Sequence, residues 1–560
     1  MSTPTPTPLP TRTDADLLSS VQHQPLSSRI PVYLKLSGPG WLQSAITLGG
    51  GSLSGSLYLG VLGGFGLLWL QPVAMIIGII MLSAIGYVTM VTGRRPLEAI
   101  NLHVNPVLGY GWALASLVAS MVWAMPQYSL SIGVLQQNLL PGLLGANGPL
   151  GETMSRVLPT VLVLIFSTYI TWNYGKGGRG VKIYEATLKV MVGVIVLCFL
   201  GVVLRLTFSA QGLDWSAAMA GMVPDFSLLA NPAEAFRPLI AATDPAHQPY
   251  WTEFIVRNQR DVIVAAAATA VGINMTFLFP YSILRRGWGK PFVGLCRFDL
   301  ATGMFIPFTL ATTFVVMAAA SQFHAVPQPG ILGADGVASY ASSASPRQIK
   351  EYEGLLAGLA KVQQTGDKGL ASAADRKLAA MLVTRDASHL AAALEPLTGA
   401  FFGRVIFGFG VLGMTLSTIT LLMLISGMVV CELLGREPSG WTFRIGSLLA
   451  ATGALGPFLW SKAAFWLAVP TSVFAFILMP IAYLTFFLMM NQRKLLGDDM
   501  PKGGSRFVWN TLMSICLVIF AGASGFMLWV KGGVWGMTAA AVFLGAAAAV
   551  DLRRRLRSRA

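Results

Sequence analysis

The residues of this chain that could do chemistry at a buried site are neutral, and they cluster at two interruptions in long apolar runs. The first is Gly49-Gly50-Gly51-Ser52, with Ser54 beyond it, about eleven residues into a run that opens at Gly38. A glycine inside a helix costs about 1 kcal/mol relative to alanine, so three in succession predict unwinding. The second is Ala270-Val271-Gly272-Ile273-Asn274-Met275-Thr276-Phe277-Leu278-Phe279-Pro280-Tyr281-Ser282. There Pro280 removes a helical hydrogen bond and crowds the preceding turn. Freed backbone at mid-membrane depth is tolerated only where it lines a cavity. Interrupted helices in matching positions of two halves mark the midplane site of a secondary transporter. The chemistry on offer is coordination. It would come from the hydroxyls of Ser52, Thr276, Tyr281 and Ser282, the amides of Gln127 and Asn274, and carbonyls freed around Gly49, Gly50 and Gly51. The plainer reading is close helix packing at the glycines and a simple proline kink.

The elements that must hold these residues are membrane helices. The chain has 560 residues, 54% hydrophobic and only 11% charged, with mean hydropathy +0.64. Soluble domains carry about 25% charged residues, so lipid has to be the solvent. A spanning helix needs about 20 apolar residues. Candidates run over roughly 40–62, 66–92, 109–140, 157–173, 187–207, 262–284, 299–321, 401–433, 444–460, 464–490, 507–530 and 533–551, about twelve in all. The fold class is therefore all-α and polytopic. No nucleophile–base pair or metal triad is visible, which argues against an enzyme, and no cofactor is implied. Cys198, Cys296, Cys431 and Cys516 stand singly in apolar surroundings, without metal-ligand or disulfide spacing.

The net charge of +15 does not imply nucleic acid. The basic residues gather in alternate short joints: Lys35; Arg94 and Arg95; Lys176, Arg179 and Lys182; Arg285, Arg286, Lys290 and Arg297; Arg436 and Arg444; Arg493, Lys494, Lys502 and Arg506. By the positive-inside rule those joints are cytoplasmic, as are both termini. The expected location is the plasma membrane, and the partners are the bilayer and a small ion or solute. Residues 1–37 are expected to be a disordered cytoplasmic tail, 38–551 the transmembrane domain, and 552–560 a basic cytoplasmic tail. Two long outer loops, 208–261 and 322–400, interrupt the domain. Within the second, 346–364 and 370–394 show helical periodicity, with a break near Gly366.

Residues 38–69 resemble, without a gap, the first helix of the Nramp divalent-metal transporters. Gly38-Pro39-Gly40 and Leu67-Leu68-Trp69 frame it as in that family. Further matches are Ala270-Val271-Gly272-Ile273 and Pro280, Asp299, Asp386-Ala387, Pro396-Leu397, Ser417-Thr418-Ile419-Thr420, Gly427 and Glu432. The resemblance covers about 35–530 and implies a LeuT-type fold of two inverted five-helix repeats. The chemistry departs from the family. Its helix-one motif Asp-Pro-Gly-Asn, which binds metal, is here Gly49, Gly50, Gly51 and Ser52. Its helix-six Met-Pro-His-Asn falls on Phe279, Pro280, Tyr281 and Ser282 in one register. In a second register, Thr276 takes the place of the methionine. Where the family has an acidic pair tied to proton movement, this chain has Gln127 and Leu130.

The resemblance thus implies a divergent member with a non-standard metal site. Asp299, Glu432 and Glu185 lie at cytoplasmic helix ends, and His103 and His324 near helix ends, so no carboxylate or histidine is expected centrally. A dehydrated divalent ion needs anionic or soft ligands to offset its desolvation, whereas Mg²⁺ keeps several waters. The expectation is a metal-cation transporter, of a hydrated ion such as Mg²⁺, without proton coupling. The alternatives are carriage of a neutral or zwitterionic solute, and a receptor-like relative that does not transport.

Overall fold

The computed structural model describes residues 12–21, 24–145, 148–174, 179–208, 212–333, 336–341, 344–362, 371–385, 389, 399, 401–459 and 466–557. Among them every named element is helical, and extended pairing is confined to one bridge, Leu332 with Ala338. Eight helices are long and apolar enough to cross a membrane: Leu70–Thr92, Pro106–Leu139, Gly151–Asn173, Gln248–Arg285, Lys290–Phe323, Arg404–Leu433, Ala468–Met490 and Gly503–Arg557. Pro39–Thr47 and Gly50–Leu67, bent by 54°, together make a ninth.

Gly503–Arg557 is in fact two spans. Straight, its 55 residues would reach about 80 Å at 1.5 Å per residue, far more than a bilayer. Gly533 has φ 55°, a left-handed conformation that glycine adopts without a side-chain clash, and the chain reverses there. Arg506 reaches Asn491 at 3.4 Å, Lys531 pairs with Asp261 at 2.6 Å, and Arg554 donates to the carbonyl of Asn101 at 2.7 Å. The two ends therefore lie at the face that carries residues 38 and 101, called inner here, and the turn lies at the opposite, outer face. Helix Arg179–Thr207 takes the place of the fifth expected span. Gly440–Ala451, a 3₁₀ turn Thr452–Leu455 and Gly456–Leu459 take that of the ninth.

Burial sorts these helices by depth. In Gln248–Arg285 94% of the most apolar window is buried, in Arg404–Leu433 83%, but in the final hairpin only 28%. The broken helices thus form the centre, and the hairpin faces lipid. Small residues let the central helices approach: a Cβ on Gly55 would touch the Cα of Ala266 at 3.4 Å, which joins the outer halves of both broken helices.

The structure corrects two boundaries. Residues 1–37 are not wholly a disordered tail, for Arg12–Val21 and Leu26–Leu36 are helices. Leu18, Tyr33 and Leu36 are buried, and Tyr33 packs edge-on against Phe298. The expected outer loop 208–261 is helical from Gln248 onward, because Trp251, Ile255 and Val262 carry a buried stripe out of the membrane. In the other outer loop Pro346–Val362 and Ala373–Leu382 are helices, and the expected break near Gly366 lies outside the described residues.

Candidate functional site

Both central helices break, and the breaks meet. The first helix ends at Thr47, passes through Leu48 and an extended Gly49 (φ −95°, ψ 178°), and restarts at Gly50. The second ends at Ala270, passes through Val271 and Gly272 in extended conformation, and restarts at Ile273. The interruption is thus the Val271-Gly272 pair. Pro280 sits inside the helix Ile273–Arg285, which runs through it.

Side chains and freed backbone groups stitch the breaks together. Gly50 N–H donates to Gln127 Oε1 at 3.0 Å, and the Ser52 hydroxyl donates to the Thr47 carbonyl. The Thr47 hydroxyl donates to Gln43 O at 3.0 Å and lies 3.5 Å from Ala270 O and 3.6 Å from Met275 Sδ. Gly272 N–H points at Met275 Sδ at 3.3 Å. Between these groups lies a cavity of about 30 Å³. Its polar wall is Gly51, Ser52, Gln127, Thr269, Met275 and Thr418, and its apolar wall Ile46, Trp123 and Leu422. The half-helices Pro39–Thr47 and Gln248–Ala270 end here, so their C-terminal carbonyls bring partial negative charge to the cavity.

The expected site residues divide. Gly49, Gly50, Gly51, Ser52 and Gln127 come together at the cavity or its neck. Asn274 is fully buried at the second break, where its Oδ1 accepts from Met275 N–H at 2.9 Å and its Nδ2 has no partner among the described residues. The Thr276 hydroxyl accepts from Trp112 Nε1 at 2.9 Å, so it faces the helix Pro106–Val134. Phe279 is fully buried against Gly86 of Leu70–Thr92. Tyr281 and Ser282 line a second, inner cavity of about 200 Å³, with Gly38, Pro39, Leu42, Arg285 and Arg286. Neither Thr276 nor Phe279 presents itself to the small cavity, and the thioether there is Met275.

Sequence reasoning missed Met275, Thr269, Thr418 and Trp123. Two signals could have found them. Trp123 and Gln127 are four apart on one helix face. A β-branched residue followed by glycine, Val271-Gly272, is a second weak point in the run beside Pro280, and a break there brings Met275 to the cavity.

The buried acids are engaged elsewhere. Asp299 accepts from Gly38 N–H at 3.1 Å and Gly40 N–H at 2.6 Å, which caps the inner half-helix. Glu432 lies 3.5 Å from Arg95. Among the described residues no group of three or more His, Cys, Asp or Glu could hold a metal ion. The side chain of Glu185 lies outside them.

The family model "Nramp: Natural resistance-associated macrophage protein-like" matches residues 40–344 and 370–530. A crystal structure of the Eremococcus coleocola manganese transporter, in complex with an aromatic bis-isothiourea substituted compound, is similar with TM-score 0.60 and 13% identity. It covers 95% of this chain and 96% of its own. Two structures of single-residue mutants of that transporter match with TM-score 0.53, at 13% and 14% identity, over 94% of this chain and 95% of theirs. No curated protein sequence matches this one. At these identities the likeness speaks for the fold, a LeuT-type pair of inverted five-helix repeats. The family match covers most of the chain, and with the two broken helices meeting at the centre it makes this protein a member of the Nramp family.

Proposed function

We propose that this chain transports a metal cation across the plasma membrane by alternating access, with both termini cytoplasmic. The cation is of the hard divalent class, with Mg²⁺ as the leading case, and its passage is not coupled to protons. The observation that carries this reading is the small cavity where both breaks meet, lined by hydroxyls, an amide and one thioether, with Gln127 rather than a carboxylate hydrogen-bonded to the first break. A family fold built around a metal site favours a cation. A lining without full negative charge favours one that keeps part of its water. The single thioether of Met275 adds a soft donor but no charge, which is too little to hold a bare transition-metal ion tightly.

A water needs about 10–15 Å³ of such space, so the cavity of about 30 Å³ takes about two. The described conformation is then a closed one, and a hydrated ion passes only when the half-helices part. A neutral or zwitterionic solute, the other cargo a neutral lining allows, needs still more room. Proton independence follows from Gln127, which does not titrate, and from Asp299 and Glu432, which are held in structural contacts.

The test is uptake into proteoliposomes of Mg²⁺, Mn²⁺ and a panel of small solutes, with and without a pH gradient. Saturable Mg²⁺ uptake indifferent to the gradient is expected. Uptake driven by protons, or micromolar Mn²⁺ affinity by calorimetry, overturns the reading. Solute uptake without cation uptake assigns the other cargo.

A further inference from the structure

The outer end of the second broken helix borders a groove of about 670 Å³ that the transport reading does not use. Its lining includes Glu253, Val256, Arg257, Arg260 and Val530. Its height in the membrane is fixed on two sides. Arg260 lies about 16 Å of helix rise from the break at Val271, the edge of a hydrocarbon core about 30 Å thick. Val530 immediately precedes Lys531, which pairs with Asp261 at 2.6 Å, and the turn at Gly533, where the final hairpin leaves and re-enters the membrane. Trp529 and Trp535, on either side of that turn, are 57% and 86% exposed, as expected of aromatics at a membrane interface. The groove therefore opens at headgroup level.

Its chemistry is ordered along that axis. Positions 253, 257 and 260 have i, i+4, i+7 spacing and share one helix face. The two arginines are held in place: Arg260 Nε donates to Leu229 O and its guanidinium lies 5.7 Å from the Phe526 ring, while that of Arg257 lies 5.5 Å from the Phe254 ring. Glu253, one turn further out, forms no ion pair with Arg257 among the described residues, although an i, i+4 pair is open to it. Two cations sit at the level of lipid phosphates, and an anion about 6 Å beyond Arg257 and about 10 Å beyond Arg260. Below, Phe526 presents exposed apolar surface, and Val530 adds more at the level of Arg260. A ligand that satisfies all three levels has acyl chains, a phosphate diester and, outermost, a hydrogen-bonding cation.

We propose that this groove binds an outer-leaflet phospholipid whose headgroup carries both a phosphate and a primary ammonium, with the phosphate on Arg257 and Arg260 and the ammonium on Glu253. Phosphatidylethanolamine is the probe. Arginine forks suit phosphate oxygens. A primary ammonium offers the N–H donors that a carboxylate accepts, and the quaternary group of phosphatidylcholine does not.

The experiment uses the full chain purified in detergent. Thermal melting is followed on adding phosphatidylethanolamine, phosphatidylcholine or phosphatidylglycerol of identical acyl chains, and native mass spectrometry reads which lipid is retained from an equimolar mixture. Phosphatidylethanolamine should raise Tm most and be retained about fivefold over either competitor, a difference of about 1 kcal/mol. R257Q/R260Q should abolish the shift for all three lipids, and E253Q should make the three equal. Equal retention of all three by the wild type, or preference for phosphatidylglycerol, overturns the proposal. So does an ethanolamine-specific shift that survives R257Q/R260Q. Should the double variant not fold, the wild-type competition and E253Q decide by themselves.

Discussion

Gln127 is the residue on which the electrostatics of the central cavity turn. Its Oε1 accepts the N–H of Gly50 at 3.0 Å in a buried place. Gln127→Leu removes that acceptor and strands the donor, so stability should fall by about 1–3 kcal/mol, visible in the melting temperature of the purified protein. Gln127→Glu keeps the acceptor but adds an unpaired charge in a buried place, so at neutral pH it should melt below the wild type unless a cation is bound. It should bind Mn²⁺ more tightly by calorimetry and acquire pH-dependent uptake. Unchanged metal affinity in that variant would place the ion elsewhere. Gly49 makes a second test. A Cβ there would collide with the Thr418 hydroxyl and lie 2.9 Å from the Ile46 carbonyl. Gly49→Asp alone should therefore destabilise by about 1–3 kcal/mol through overpacking. Combined with Thr418→Ala, which removes the nearer obstacle, it should gain divalent-metal affinity over Thr418→Ala alone, and a titration of the two proteins decides the matter.

At the scale of elements, the inner half-helix Pro39–Thr47 is held at its start by two residues remote in sequence. Asp299 receives the N–H groups of Gly38 and Gly40, and Arg286 Nη1 donates to Leu36 O at 3.1 Å from the other side. Pro39 has no N–H, so the carboxylate takes the two donors that flank it. Bonds to a charged acceptor are worth about 1.5–3 kcal/mol each, and 1.4 kcal/mol is tenfold in an equilibrium. Asp299→Asn should loosen the half-helix and expose the inner cavity about tenfold more often. The readout is thiol labelling of a cysteine placed at Leu42, which lines that cavity. Labelling at the wild-type rate would show that Asp299 does not hold this gate.

On the scale of the whole molecule, the outer face carries a cap, and a buried polar cluster around Asp375 is one of its anchors. Asp375 is fully buried and takes His247 Nδ1 at 2.8 Å, Trp251 Nε1 at 2.7 Å and the Ser372 N–H at 2.8 Å. It thereby ties Ala373–Leu382 to the outer start of the second broken helix. Burial opposes its charge, but the hydrogen bonds from Ser372, Trp251 and His247 outweigh burial and hold the carboxyl below its ordinary value near 3.8. A depressed carboxylate contributes stability that is present above its unfolded value and lost as pH falls through the folded one. The cap should stay docked at neutral pH and loosen as the pH falls below the ordinary carboxylate value, read as protease cleavage between 346 and 382. Asp375→Asn should loosen it at every pH and flatten that dependence.

The sequence alone determined the solvent, the helix order and the family. Apolar runs of about 20 residues can be satisfied only in lipid, and Gly49-Gly50-Gly51 marks its break by local propensity. The contents of the site were decided by tertiary structure. Helix Ile273–Arg285 absorbs Pro280, and the true interruption at Val271-Gly272 rests on Thr47 and Trp123 arriving from other segments, with Met275 folding back onto Gly272 from the same helix. Local preference cannot rank two weak points in one helix when the stabilising partners are remote in sequence. For the same reason Thr276 and Phe279 turn to neighbouring helices while Met275 turns to the cavity: moving the break by a few residues rotates every following side chain about the helix axis. The turn at Gly533 was legible as a gap between two apolar runs. Its consequence, a groove where Arg257 and Arg260 meet Val530, depends on packing between segments some 270 residues apart, which no local signal encodes.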